Sequence, residues 1–121
     1  VILLGIGPDD TPQLAGELAE KTAYLRVFED DASKMNRSLL DVGGEAIVVS
    51  QFTLYADTSR GRRPSFIYAA KPELAEPLVE VFAQRLRALG IPTQQGVFGA
   101  HMVVDIRNDG PVTILLELPQ V

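Results

Sequence analysis

Apolar and polar positions change period several times along this chain, and each change marks an element. Val1 to Ile6 is a nearly continuous apolar run, the pattern of a short strand buried on both faces. "GPDDTP" interrupts it with turn formers. Thr11 is then placed to cap a helix and Pro12 to open it, where its missing N–H costs nothing. Leu14, Leu18, Leu25 and Phe28 recur at roughly helical spacing, which predicts a helix from about Pro12 to Val27. The next stretch, "EDDASKMNRSLLDVGG", is polar and turn-rich and reads as a loop, with Gly43 and Gly44 leading into a strand.

That strand spans Glu45 to Leu54, and its "AIVV" segment is β-branched and apolar on both faces. From Lys71 to Leu89 a second amphipathic helix aligns Leu74, Leu78, Phe82, Leu86 and Leu89, with Gly90 as its stop. Pro77 should fall near its first turn or kink it. After "GIP" the period drops to two. Met102, Val104 and Ile106 alternate with His101, Val103, Asp105 and Arg107, and Val112, Ile114, Leu116 and Leu118 alternate likewise beyond "NDGP". Alternation on both sides of a turn predicts a hairpin, preceded by a short strand near Thr93 to Val97. The order is strand–helix, strand–helix, then three strands: one α/β domain over residues 1–121, with helices packed on one side of layered sheets.

Composition narrows the chemistry. The chain has 121 residues, 46% hydrophobic and 22% charged, enough to bury a core without staples. With no Cys, disulfides, thiolate metal sites and Cys nucleophiles are excluded, and a reducing compartment such as the cytoplasm is expected. "VILLGIG" is too short to span a membrane and has no basic flank, so it does not read as a signal peptide. The chain begins inside this apolar run without an initiator Met, which suggests that upstream residues are missing. His101 is the only histidine, and its strand position favours an outward residue over a triad member. A zinc site lacks ligands, and "GIGPDD" breaks the dinucleotide-binding glycine pattern at Pro8. No cofactor is expected.

Two stretches resist a purely structural reading. In "VVSQFTLYADTSRGRRPSF" the buried strand runs into Ser50, Gln51, Phe52 and Thr53, then into Arg60, Arg62 and Arg63, in a protein of net charge −5. Hydroxyls and backbone N–H groups thereby emerge at the end of a buried strand, a usual place for a site in an α/β sheet. Such strand ends also serve to satisfy local hydrogen bonds. "NDGPVT" is likewise consistent with an ordinary turn. Residue chemistry alone stops at an α/β domain with a possible hydrolase site.

Taken together, these stretches resemble the D-aminoacyl-tRNA deacylases, also called D-tyrosyl-tRNA deacylases. The family's signatures are a Ser-Gln-Phe-Thr strand end and an Asn-x-Gly-Pro-Val-Thr turn. Here they stand as Ser50-Gln51-Phe52-Thr53 and Asn108-Asp109-Gly110-Pro111-Val112-Thr113. "KMNRSLLDVGGE", "GRRPSF" and "GVFGAHM" fall in the family's order and spacing, so the resemblance covers the whole chain. Two features depart from it. The β-hairpin that usually precedes the strand at Val1 is absent from this sequence, and His101 stands where many relatives carry Asp.

The resemblance implies hydrolysis of the ester between a D-amino acid and the 3′-terminal adenosine of tRNA, with L-aminoacyl-tRNA rejected and glycyl-tRNA admitted. It implies a homodimer with its active site at the subunit interface. There the cis Gly110–Pro111 turn of one subunit enters the pocket of the other and leaves no room for an L side chain. Amides around Phe52 and Thr53 are then expected to hold the oxyanion. Thr53 is expected to position the substrate first and to act as nucleophile second, since no base is matched to it and the tRNA's own 2′-hydroxyl can help activate water. Phe98 and Met102 fit either the walls of an adenine pocket or ordinary core packing. Arg60, Arg62 and Arg63 fit either phosphate contacts or a solvated loop. Two rival readings remain: a non-catalytic nucleic-acid-binding module of the same fold, and a small-molecule Ser/Thr esterase, which the missing base disfavours.

Overall fold

The computed structural model describes residues 1–119. Along the chain lie β1 (Ile2–Leu4), α1 (Pro12–Tyr24), β2 (Phe28–Glu29), β3 (Met35–Arg37), α2 (Leu39–Val42) and β4 (Ala46–Ser50). A 3-10 turn (Phe52–Tyr55), α3 (Pro72–Ala88) and β5 (Thr93–Gln95) follow. The central sheet has three strands in the order β1-β4-β5, both pairings parallel, with Ile2 opposite Val48 and Val48 opposite Gln95. β4, the most buried strand, occupies the middle, where both edges are paired.

Helix entry follows the local signals. The Thr11 hydroxyl accepts from the Leu14 N–H at 3.2 Å, and Pro12 opens α1. Pro72 opens α3, and Gly90 beyond its end takes a positive φ of 90° while its N–H donates to the Arg87 carbonyl at 2.9 Å. α1 and α3 pack on each other through small side chains: Ala19 and Ala23 of α1 and Ala83 of α3 are fully enclosed. Phe82, Leu86 and Val48 fill the space beneath. At the rim of this contact Gly16 lies against the Arg85 guanidinium, whose Nη1 reaches Glu20 Oε1 at 2.6 Å.

Four expectations need correction. α1 stops at Tyr24 rather than near Val27, because Leu25 turns extended and Phe28 belongs to β2; its spacing after Leu25 imitated a helix. The polar stretch after Glu29 is ordered rather than a loop. Asp30 accepts from the Ala32 and Lys34 N–H groups and ties the β2–β3 hairpin, while Ser38 and Asp41 cap each other's backbone to start α2. The strand expected to run to Leu54 ends at Ser50, and Phe52 and Thr53 lie in the 3-10 turn. The hairpin expected over 102–118 is not formed: residues 101–119 carry no strand among the described residues. Alternation sets which side chains share a face, but a strand also requires a hydrogen-bonded neighbour, and residues 101–119 join neither described sheet.

Ala19 is fully enclosed between α1 and α3, so Ala19→Leu should lower stability by about 1–3 kcal/mol in urea unfolding. Glu20→Gln, which removes only a half-exposed ion pair, should cost less than about 1 kcal/mol.

Candidate active site

The parallel ladder between β1 and β4 ends on one hydrogen bond, from the Gln51 N–H to the Leu4 carbonyl at 2.8 Å. Immediately beyond it the chain folds over. The Leu54 N–H returns to the Gln51 carbonyl at 3.2 Å and the Ala56 N–H to the Thr53 carbonyl at 3.0 Å. Because the turn begins here, the N–H groups of Phe52 and Thr53 have no backbone partner among the described residues. Both residues are exposed, and the Gln51 side-chain amide donates to the Thr53 hydroxyl.

Two glycines allow the turn to sit this close. A Cβ on Gly5 would lie 3.1–3.2 Å from Tyr55, Leu54 and the Gln51 carbonyl, and one on Gly7 would lie 2.9 Å from the Tyr55 hydroxyl. The "GIG" pattern thus makes room for Tyr55. Burial, then the Asp10 and Glu117 carboxylates, push the Tyr55 hydroxyl above the ordinary tyrosine range. Sequence reasoning passed over Tyr55, although two glycines flanking one strand residue signal a close approach of another segment.

The arginine-bearing loop is joined to the turn. Asp57 and Ser65 exchange both backbone hydrogen bonds, at 2.7 and 2.9 Å, and so close the segment between them. Asp57 also accepts from the Ser59 N–H, and Ser59 holds the carboxyl below the usual range. Phe66, just past the closure, meets Phe52 edge-to-face with ring centroids 5.0 Å apart. Arg60, Arg62 and Arg63 are exposed and form no ion pair or side-chain hydrogen bond among the described residues. Phe66 is a site neighbour that the sequence reading quoted without assigning it a role.

On the other flank of Ser50 opens a cavity of about 420 Å³. Val48, Ser50, Gly96 and Phe98 line one side of it, and Pro72, Pro77 and the glutamates of α3 line the other. Phe98 serves both readings offered for it, since it packs on the core and borders the cavity. Met102 lies over Gly96, where a Cβ would come within 2.8 Å of its Sδ. Glu80 is fixed by Gln84 and Gln95, and these hydrogen bonds, with Arg87 nearby, hold its carboxyl below the usual range.

Gly110 and Pro111 are exposed, joined by a cis peptide bond, and Gly110 has a φ of 140°. Asn108 organises this turn: its Oδ1 accepts from the Val112 N–H at 2.9 Å and its Nδ2 donates to the Thr113 hydroxyl at 3.1 Å. The structure thus brings Ser50 together with Phe98, Gln51 with Thr53, and Phe52 with the arginine loop. Among the described residues there is no hydrogen bond from the 108–113 turn to that group. His101 is exposed and does not approach Thr53 through any hydrogen bond among the described residues. No group of three or more His, Asp or Glu residues among the described residues is placed to hold a metal ion.

Fold and site define a small α/β protein with polar groups and free amides at a strand exit, beside a ligand-sized cavity. The profile of the D-Tyr-tRNA(Tyr) deacylases matches residues 1–117, and the chain belongs to that family. It is 60% identical over 119 residues to a D-aminoacyl-tRNA deacylase of Deinococcus deserti, a match covering 98% of this chain and 82% of that protein. Among solved structures, a c-Myc DNA unwinding element binding protein superposes with a TM-score of 0.89 at 42% identity, over 98% of this chain and 80% of the other. A probable eukaryotic D-amino acid tRNA deacylase shares the fold, with a TM-score of 0.65 at 15% identity over 82% of this chain and 73% of the other.

Proposed function

We propose that this protein hydrolyses the ester joining a D-amino acid to the 3′-terminal adenosine of tRNA, as a D-aminoacyl-tRNA deacylase. The carrying observation is the junction at Ser50–Thr53: two free amides and a tethered hydroxyl at the surface, with a cavity of about 420 Å³ on one side and an arginine loop on the other. The amides of Phe52 and Thr53 receive the oxyanion that develops on the ester carbonyl. The terminal adenosine enters the cavity past Ser50, with Phe98 as an apolar wall and Met102 beside it over Gly96. Arg60, Arg62 and Arg63 take the phosphates of the acceptor end.

Thr53 serves as a positioning group. Its hydroxyl already accepts a hydrogen bond from Gln51, and no base among the described residues is bonded to it. The attacking water is activated by the 2′-hydroxyl of the substrate, so the protein supplies geometry and an electropositive hole. Chirality is read by a second copy of the chain, whose Gly110–Pro111 turn closes the pocket against an L side chain and still admits glycine. The protein acts as a homodimer in the cytoplasm; among the described residues no helix is long and apolar enough to cross a membrane.

A second reading is nucleic-acid binding without turnover, favoured by what the DNA-unwinding-element relative is named for. Release of D-tyrosine from D-tyrosyl-tRNA, with L-tyrosyl-tRNA spared, separates the two. Thr53→Ala should retain measurable turnover; its complete loss, with Thr53→Ser active, would make Thr53 the nucleophile. A substrate ending in 2′-deoxyadenosine should be nearly inert, and full turnover of it would remove the substrate-assisted step.

Replacing Arg60, Arg62 and Arg63 together by Ala should weaken tRNA binding and flatten its salt dependence by up to about three phosphate contacts, leaving the D over L preference unchanged. An unaltered salt slope assigns the loop to solvent. Sedimentation at assay concentration should give twice the chain mass; an active monomer would exclude a pocket closed in trans.

A further inference from the structure

Glu73, Glu76 and Glu80 border the cavity beside Ser50 and Phe98, and a carboxylate rim is a poor neighbour for phosphate. What suits such a rim is a ligand face that donates hydrogen bonds. One acceptor there has a fixed orientation. Glu80 Oε1 accepts from Gln84 Nε2 at 2.8 Å and its Oε2 from Gln95 Nε2 at 3.0 Å. A carboxylate can only accept, so the Gln95 amide must turn its nitrogen to Glu80, which leaves Oε1 to serve a ligand. Gln95 is half-buried, lines the cavity and pairs with Val48 in the sheet, and the adjacent Gly96 N–H donates to the Val48 carbonyl at 3.0 Å. A second acceptor belongs to α3, whose Glu73 and Pro77 also line the cavity. Pro77 has no N–H, so the Glu73 carbonyl one turn earlier in α3 lacks its helical donor.

We propose that Gln95, oriented by Glu80, is a specificity residue that accepts a hydrogen bond from the 6-amino group of the terminal adenine. The proposal rests on the reading that this adenosine enters the cavity. Adenine offers a donor at that position. Guanine offers a carbonyl oxygen, which would face an acceptor with no proton between them. Gln95 thus selects the base, while Glu80 acts only through Gln95 and is a positioning residue.

The test compares D-tyrosyl-tRNA ending in adenosine with the same tRNA ending in purine riboside, which lacks only the 6-amino group. For the wild type, purine riboside should raise KM by several-fold to about tenfold and leave kcat unchanged, the signature of one lost ground-state hydrogen bond. Gln95→Leu should show the raised KM on both substrates and no longer distinguish them. Glu80→Ala should reduce the discrimination, and Glu80→Gln, which keeps an acceptor for Gln95, should restore part of it. A Gln95→Leu enzyme that still discriminates overturns the proposal, as does a wild type that never did. Phe98→Ala separates the underlying reading. If it raises KM for both substrates while the 6-amino group has no effect, the base occupies the cavity and Gln95 does not read it. If neither change alters KM, the base lies elsewhere and both ideas fall. Should Gln95→Leu not fold, the wild-type substrate pair and the two Glu80 variants still decide the matter.

Discussion

The site depends on one hydrogen bond, the Gln51 N–H to the Leu4 carbonyl at 2.8 Å, because it fixes where a buried strand stops being a strand. Up to that point β4 spends its backbone groups on β1 and β5, and its side chains on the core. One residue later the chain has turned, and its next two amides have no backbone partner among the described residues. A rung more or less would change which residues emerge, since strand side chains alternate faces at every step. Gly5 and Gly7 permit this geometry by leaving the end of β1 bare enough for Tyr55 and the turn to rest on it.

Around that junction three kinds of chemistry are kept apart. Amide donors and a hydroxyl lie at the turn, guanidinium groups lie on a loop closed by the Asp57–Ser65 pair, and carboxylates edge the cavity on the other side. The Phe52–Phe66 contact ties the loop to the turn through ring packing rather than charge. Its strength is therefore little affected by salt, unlike the phosphate contacts proposed for the arginines it helps place. Under the proposed function, this separation would let an acidic protein address a polyanion at one small patch.

Much of this was legible in the sequence where the signal was local. Caps, helix stops and apolar periodicity identified α1, α3 and β4, because Thr11, Pro12 and Gly90 act on their own backbone neighbours. The two Ser-Gln-Phe-Thr and Gly-Pro-Val-Thr stretches pointed to the family before any geometry was known. Partnered features were missed. The Ser38–Asp41 capping box and the Asp30 turn were written in the sequence but hidden in a polar stretch that resembled a loop. The end of β4 could not be placed, since Phe52 and Leu54 continue the apolar pattern past the last rung. The cavity needs α3 and β5 side by side, which no spacing along the chain reveals.

The unpaired alternating stretch after His101 has a thermodynamic consequence. Val103 is 82% exposed and Leu115 72%, with Ile106 and Ile114 also open, so this segment holds apolar surface in water that folding of the described chain has not removed. A surface that covers it in its folded arrangement, and does not bind the unfolded chain, adds its binding free energy to the stability of the fold. The melting point of such a chain is then a property of the solution as well as of the molecule, rising with the concentration of whatever covers these residues.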